Sequence, residues 1–326
     1  LRNITAQEEF ILEKFKIRTD LALEVRESFE GDNVEIRGVR IEENFNEELD
    51  IRTTTVIIET ENGAKSMGKP VGVYITLEAP NMSSGDDDYH REISLELARH
   101  IRKLVNLEQE KSVLVVGLGN REITPDALGP DVIENLLITR HMVKEYGKIS
   151  LGKEKVHSIS AIVPGVMGQT GMETVEIING VVKETNPDVV IVIDALAARS
   201  TRRLNRTIQI TNTGINPGSG VGNHRSGINQ DVLKIPVIAI GVPTVVDAAT
   251  IVNDTMENLI DAMDESDHFK QLGGTLGTLD SAEKYQLIEE LISPHLNGMF
   301  VTPKDIDETV KRIGFTISEA LNIAFD

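Results

Sequence analysis

The chain has 326 residues, 40% of them hydrophobic, enough to bury the core of one large α/β domain. Its 52 acidic and 33 basic residues give a formal net charge of -19, a field that repels nucleic acid and anionic lipid and argues against either as a direct partner. The chain holds no cysteine, which excludes disulfides, thiolate metal sites and cysteine nucleophiles, and it lacks any apolar run of the ~18 residues that could span a bilayer.

In chain order, residues 1–20 are polar and mixed in charge, with a modest helical pattern through Phe10, Ile11 and Phe15 and no signal or transit peptide, which points to a cytoplasmic protein. VEIRGVRI (34–41), LDIRTTTVII (49–58) and VGVYITLEA (71–79) alternate apolar and polar side chains. They predict an antiparallel meander, with a turn at Asn62-Gly63. GDDDYHREISLELARHIRKLV (85–105) predicts an amphipathic helix whose N-terminus carries Asp86, Asp87 and Asp88, where the macrodipole favours acids.

From residue 112 the pattern changes to continuous runs rich in Val and Ile: 112–119, 156–165, 188–194, 206–211 and 235–241. Such runs suit strands covered on both faces. Helical stretches at 126–145, 170–186 and 245–264 fit around them, and 281–295 and 303–324 close the chain. The expected fold is α/β, a mainly parallel doubly wound sheet with helices on both faces and the N-terminal meander as an added layer or edge.

In such sheets chemistry gathers beyond the carboxyl ends of the strands. The stretch VLVVGLGNREITPDALGPD (113–131) opens like a phosphate loop, at Gly117 and Gly119, but has Glu122 where a dinucleotide fingerprint needs its third glycine. It reads instead as a loop that runs through Asn120 and presents Asp126 between Pro125 and Pro130. Asp194 ends the apolar run DVVIVID and sits at the same edge of the sheet. Each aspartate alone reads first as a helix cap, Asp126 for ALGPDVIENLL and Asp194 for ALAARS. Together they form a carboxylate pair able to share a proton, one member activating water and the other protonating a leaving group. A second glycine-rich loop carries Gly218, Gly220 and Gly222, with His224 just after it. His100 and His141 fall within helical patterns. No P-loop, serine elbow or H-E-x-x-H motif occurs. At this level a nucleotide-binding regulatory module on a Rossmann-like sheet remains an alternative to an enzyme.

IRTDLALE (17–24), GLGNREITPDALGP (117–130), ENLLITRH (134–141), PGVMGQTG (164–171), VVIVIDALAAR (189–199), TGINPGSGVGN (213–223), PVIAIGVPTVVDA (236–248) and VTPKDID (301–307) together resemble the spore germination protease family of Bacillus and its relatives, over nearly the whole chain. The resemblance implies an endopeptidase of the spore core that begins degradation of small acid-soluble spore proteins. It implies a homotetrameric zymogen that removes its own N-terminal segment, residues 1–20, from a single peptidase domain, 21–326. Family substrates are cut after an acid that precedes an apolar residue and then alanine. Thr19-Asp20-Leu21-Ala22 matches, with Asp20 and Leu21 flanking the bond. The family's two proposed catalytic aspartates fall on Asp126 and Asp194, and backbone N–H groups of the loops at 117–120 or 217–223 are candidates to hold the oxyanion. The family is also longer near Gly273 and Gly274. It is similar in fold to hydrogenase maturation endopeptidases, which bind a metal through two acids and a histidine. Asp126 and Asp194 would take the acid positions, no histidine is clearly placed for the third, and a divalent metal is an alternative cofactor rather than an established one.

Overall fold

The computed structural model describes residues 20–27, 36–147, 152, 155–218, 226–248, 250–252, 255–256, 259, 262 and 298–326. Within it β1 (Val39–Asn46), β2 (Ile51–Ile58) and β3 (Gly72–Glu78) form the antiparallel meander. Two short helices, α1 (Ala22–Glu27) and α2 (Glu61–Met67), cover it, and Ala22, Val56, Ile58, Met67 and Tyr74 form a small apolar cluster between them. Helix α2 occupies the place expected of an Asn62-Gly63 turn. Thr60 Oγ1 accepts the Gly63 N–H at 3.1 Å, and a Cβ on Gly63 would come within 2.7 Å of the Gly38 carbonyl oxygen. A helix cap and a close backbone approach, not a turn, account for this glycine.

Helix α3 (Asp87–Val105) is capped by Asp86, whose carboxylate accepts the N–H groups of Asp88 and Tyr89, and leads into β4 (Ser112–Gly117). Helices α4 (Leu128–Glu134) and α5 (Arg140–Tyr146) carry the chain to β5 (Ser158–Ile162), and α6 (Met167–Thr170) and α7 (Thr174–Thr185) carry it to β6 (Val189–Ala198). After β7 (Thr207–Thr211) and α8 (Gln230–Leu233) come β8 (Val237–Asp247), the short β9 (Phe300–Val301) and α9 (Ile306–Phe325).

Among the described residues, all nine strands belong to one sheet, ordered β1-β2-β3-β7-β8-β6-β4-β5 with β9 paired to β8. Its core, β5-β4-β6-β8, is parallel. The meander is an edge of this sheet rather than a separate layer, joined through the antiparallel pair β3–β7. The run at 206–211, expected among the parallel strands, is β7, antiparallel to β8. The reason is its connection: only the 3-10 turn Thr201–Arg203 separates β6 from β7, too short for the helical crossover that a parallel neighbour needs.

Side-chain alternation explains the double cover. Val113, Val115, Ile191 and Ile193 pack with Ile93, Leu97, Val132, Ile313 and Ile317 of α3, α4 and α9, while Leu114, Val116, Val190 and Val192 pack with Ile178, Val182 and Leu233 of α7 and α8. The helix expected at 126–145 is two, because Thr139 in the break joins the edge of β5: its N–H donates to Ile159 O at 3.1 Å and its hydroxyl donates to His157 O at 2.6 Å. The helix expected at 170–186 is likewise interrupted at Gly171, which has φ +71°. Strand β8 runs on to Asp247, so the helix expected from 245 begins at 248, and its described residues are helical. The proposed helix at 281–295 and the glycines at 273 and 274 lie outside the described residues.

Candidate active site

Strand β4 leads away to β5 on one side, and β5 leads back to β6 on the other. The chain order therefore reverses between β4 and β6, the place where an open α/β sheet leaves a crevice beyond its strand ends. Both aspartates belong to this edge. Leu118 N–H donates to Ile193 O at 2.8 Å, stitching the end of β4 to the residue before Asp194.

Asp194 does not end its strand. β6 continues through Ala195 to Ala198, in parallel register with β8 from Asp194–Gly241 to Ala198–Val246. ALAARS is therefore strand and turn, and the helix-cap explanation for Asp194 fails. A Cβ on Gly241 would meet Leu196 at 2.4 Å, so the glycine makes room for the side chain that follows Asp194 by two residues. Asp194 is buried, and its Oδ1 accepts the Ala195 N–H at 3.0 Å.

Asp126 closes the 3-10 turn Thr124–Asp126. It is not the cap of α4 either: that position is Ala127, with no side-chain capping bond. Instead Asp126 Oδ2 accepts the Asn120 N–H at 2.9 Å, and Asp126 O takes the same donor at 3.1 Å. Asn120 Oδ1 in turn accepts Gln169 Nε2 at 3.2 Å. The glycines of this loop answer to the protein's own backbone. A Cβ on Gly119, at φ +108°, would fall 1.9 Å from Asp126 O, and one on Gly117 would fall 2.3 Å from Gly129 O. The first turn of α4 thus lies where a cofactor phosphate would have to approach, which weighs against the nucleotide-binding alternative.

Asp20, Asp126 and Asp194 line one cavity of about 490 Å³, walled also by Gly119, Gly218, Thr244, Phe300 and Thr302. Two hydroxyls knit its far side: Thr244 donates to Pro125 O at 2.7 Å, and Thr302 donates to Thr244 O at 2.8 Å. Gly220, Gly222 and His224 lie outside the described residues. His100 is paired with Glu96 at 3.0 Å on α3, and His141 lies on α5. Among the described residues no three His, Asp or Glu side chains are grouped to hold a metal ion.

Residues 20–24 reach into the same region. Asp20 Oδ2 accepts the Ala197 N–H at 3.0 Å, and the Asp20 N–H donates to Ala197 O at 3.4 Å, so the segment pairs with the extension of β6. Leu21 and Ala22 are fully buried. The Asp20 carbonyl accepts Lys69 Nζ at 3.0 Å and Gln209 Nε2 at 3.2 Å, while Gln209 Oε1 accepts the Ala22 N–H at 2.7 Å. Burial pulls the Lys69 amine below the ordinary lysine range, against the opposing pull of the Asp20 and Glu24 carboxylates. Glu24, also buried, accepts the N–H groups of Arg199 and Ser200 at 2.8 and 3.0 Å. Sequence reasoning missed Lys69 and Gln209. The one available signal was a glutamine midway along the buried strand TIQIT, where an amide needs partners.

The family model described as germination protease matches residues 17–266 and 261–326. The chain belongs to the germination protease family. It is therefore an endopeptidase. It is 50% identical over 309 residues to the germination protease of Caldanaerobacter subterraneus, covering 94% of each chain. It is 47% identical over 312 residues to that of Clostridium perfringens, with 95% of each covered. With the Bacillus subtilis germination protease it shares 39% identity, over 97% of this chain and 95% of that one. Among solved structures, the [NiFe] hydrogenase maturation protease HycI of Thermococcus kodakarensis overlaps at TM-score 0.30 and 16% identity, covering 67% of this chain and 98% of that one. An overlap that loose carries nothing about the site.

Proposed function

We propose that this endopeptidase is a zymogen that cuts its own Asp20–Leu21 bond, and that the processed form cuts small acid-soluble spore proteins after an acid in the spore core, acting as a homotetramer. The observation that carries the reading is that Asp20 lines the same cavity as Asp126 and Asp194, with the following residue sealed in the protein. An acidic residue before the bond suits the Ala197 amide that receives the Asp20 carboxylate, and the buried site of Leu21 suits the apolar residue after it.

The mechanism uses two aspartates in different protonation states. One, ionised, takes a proton from water as the water oxygen attacks the Asp20 carbonyl carbon; the other, protonated, gives its proton to the leaving Leu21 nitrogen. Asp126 is fixed by the Asn120 amide and Asp194 by its place inside β6, so both are held for the reaction before it begins.

The test is mass spectrometry of the full chain during self-processing. The unsubstituted chain is expected to yield a new N-terminus at Leu21, and Asp126→Asn or Asp194→Asn to slow its formation by at least ~10³-fold. A variant that still processes at the parent rate would remove its aspartate from the mechanism.

A further inference from the structure

We propose that Lys69 and Gln209 form the electrophilic clamp for self-cleavage, polarising the Asp20 carbonyl and holding the oxyanion that develops on it. This rests on the reading that the Asp20–Leu21 bond is the one cut, and it adds a catalytic role that the two aspartates do not supply.

Asp20 and Leu196 form a wall between two cavities. On one side lies the space of about 490 Å³ that holds Asp126 and Asp194; on the other lies one of about 130 Å³ lined by Lys69, Gln209 and Tyr74. The donors reach the Asp20 carbonyl oxygen from the smaller cavity, at 3.0 Å from Lys69 Nζ and 3.2 Å from Gln209 Nε2. The Asp126 and Asp194 carboxylates line the larger cavity, which has room for the attacking water. Nucleophile and oxyanion donors thus have access to one peptide from separate spaces, as addition to a carbonyl requires.

The chemistry of the two side chains suits the task better than anchoring alone. Gln209 binds both flanks of the bond at once, its amide N–H₂ on the Asp20 carbonyl and its amide oxygen on the Ala22 N–H. That two-point hold fixes the peptide plane between them. The Asp20 and Glu24 carboxylates offset part of the cost of burying the Lys69 ammonium, and its positive charge, placed on the carbonyl oxygen, gains a further use where negative charge appears during reaction. In the first step the water oxygen bonds to the carbonyl carbon, a water proton passes to the ionised aspartate, and the carbonyl π pair moves to the oxygen held by Lys69 and Gln209. In the second, that pair reforms the carbonyl, the C–N bond breaks, and the protonated aspartate gives its proton to the Leu21 nitrogen. Lys69 and Gln209 keep their protons throughout.

The experiment follows appearance of the Leu21 terminus by mass spectrometry in the full chain and in Lys69→Met, Lys69→Arg and Gln209→Glu, with thermal unfolding of each. Gln209→Glu keeps an acceptor for the Ala22 N–H, removes the donor to the carbonyl and sets a carboxyl group against the oxygen where negative charge develops. Expected are a loss of roughly 100-fold or more in Lys69→Met, a loss of at least ~10-fold in Gln209→Glu, and recovery of most of the rate in Lys69→Arg. Lys69→Met folded and cutting within about threefold of the parent would overturn the clamp while leaving the cleavage site standing. If Lys69→Met does not fold, Gln209→Glu decides by the same threshold. Failure of the unsubstituted chain to produce a Leu21 terminus would overturn the cleavage-site reading, and the clamp with it.

Discussion

At the scale of single residues, the site depends on backbone conformations that side chains forbid. Gly119 is the sharpest case: it sits at φ +108°, and any Cβ there collides with the Asp126 carbonyl oxygen. Gly119→Ala therefore has to move the turn that presents Asp126. Cleavage at Leu21 is expected to fall by ~100-fold or more while the core still folds, at a cost of roughly 1–3 kcal/mol. Near-parent cleavage in a folded Gly119→Ala chain would show that the loop's shape is not what positions the aspartate. Lys69 supplies a pH test. Among the described residues, the titratable groups facing it are Asp20 and Glu24 from the N-terminal segment and Tyr74 from β3, whose phenol is pushed up to about 12 by burial. Because burial lowers the Lys69 pKa, its charge is lost at a pH below the ordinary lysine range, and self-cleavage should decline as pH rises through that point. Lys69→Arg, which stays charged, should move that decline to higher pH. An unchanged alkaline limb would assign it to another group. The acids at 126 and 194 could be picked out from the sequence because each interrupts apolar or glycine-rich surroundings. Lys69 could not, since its partner carbonyl lies 49 residues away and nothing local distinguishes it from a surface lysine.

At the scale of elements, helix α1 has only six residues and could not hold itself in place by helix propensity. Arg203, buried in the turn between β6 and β7, holds it: its guanidinium lies 2.6 Å from Glu27, 3.4 Å from Glu78 of β3 and 3.9 Å from the buried Glu24. Arg203→Met would remove this cation from beside the buried Glu24. A loss of about 3–5 kcal/mol in urea unfolding is expected, partly restored by adding Glu24→Gln. Equal stability of the single variant and the parent would mean that the Arg199 and Ser200 amides suffice for Glu24. The same paired reasoning explains which elements could be read from sequence. Helix α3 shows its acids, its apolar stripe and its end within one continuous stretch. The turn expected at Asn62-Gly63, the single helix expected across 126–145 and the strand end expected at Asp194 were each overruled by a partner distant in the chain: the Gly38 carbonyl, the edge of β5, and the register with β8.

At the scale of the whole molecule, the continuity of the Val- and Ile-rich central runs foretold a doubly covered sheet, because burial on both faces is written residue by residue. Strand direction was less legible, since it depends on the length and route of a connection, and β7 runs opposite to the parallel core strands for that reason. The candidate site draws on residues from Asp20 to Thr302, so its integrity is that of the entire fold. The fold carries a formal net charge of -19. Several of its ion pairs, including Arg40–Glu42, Arg40–Glu59 and Arg121–Glu134, join side chains about half exposed, where each contributes little. Salt that screens these pairs removes a small stabilisation. The same salt relieves repulsion among the surplus acids, which acts over distances longer than a contact and is cut as the Debye length falls from ~30 Å at 0.01 M to ~3 Å at 1 M. The second effect should dominate. Thermal unfolding at pH 7 is expected to shift upward by a few degrees between 0.02 and 0.5 M sodium chloride, on the order of 1–2 kcal/mol for a chain of this size. A fall in the midpoint over that range would mean that paired charges, rather than unpaired acids, govern the electrostatics of the fold.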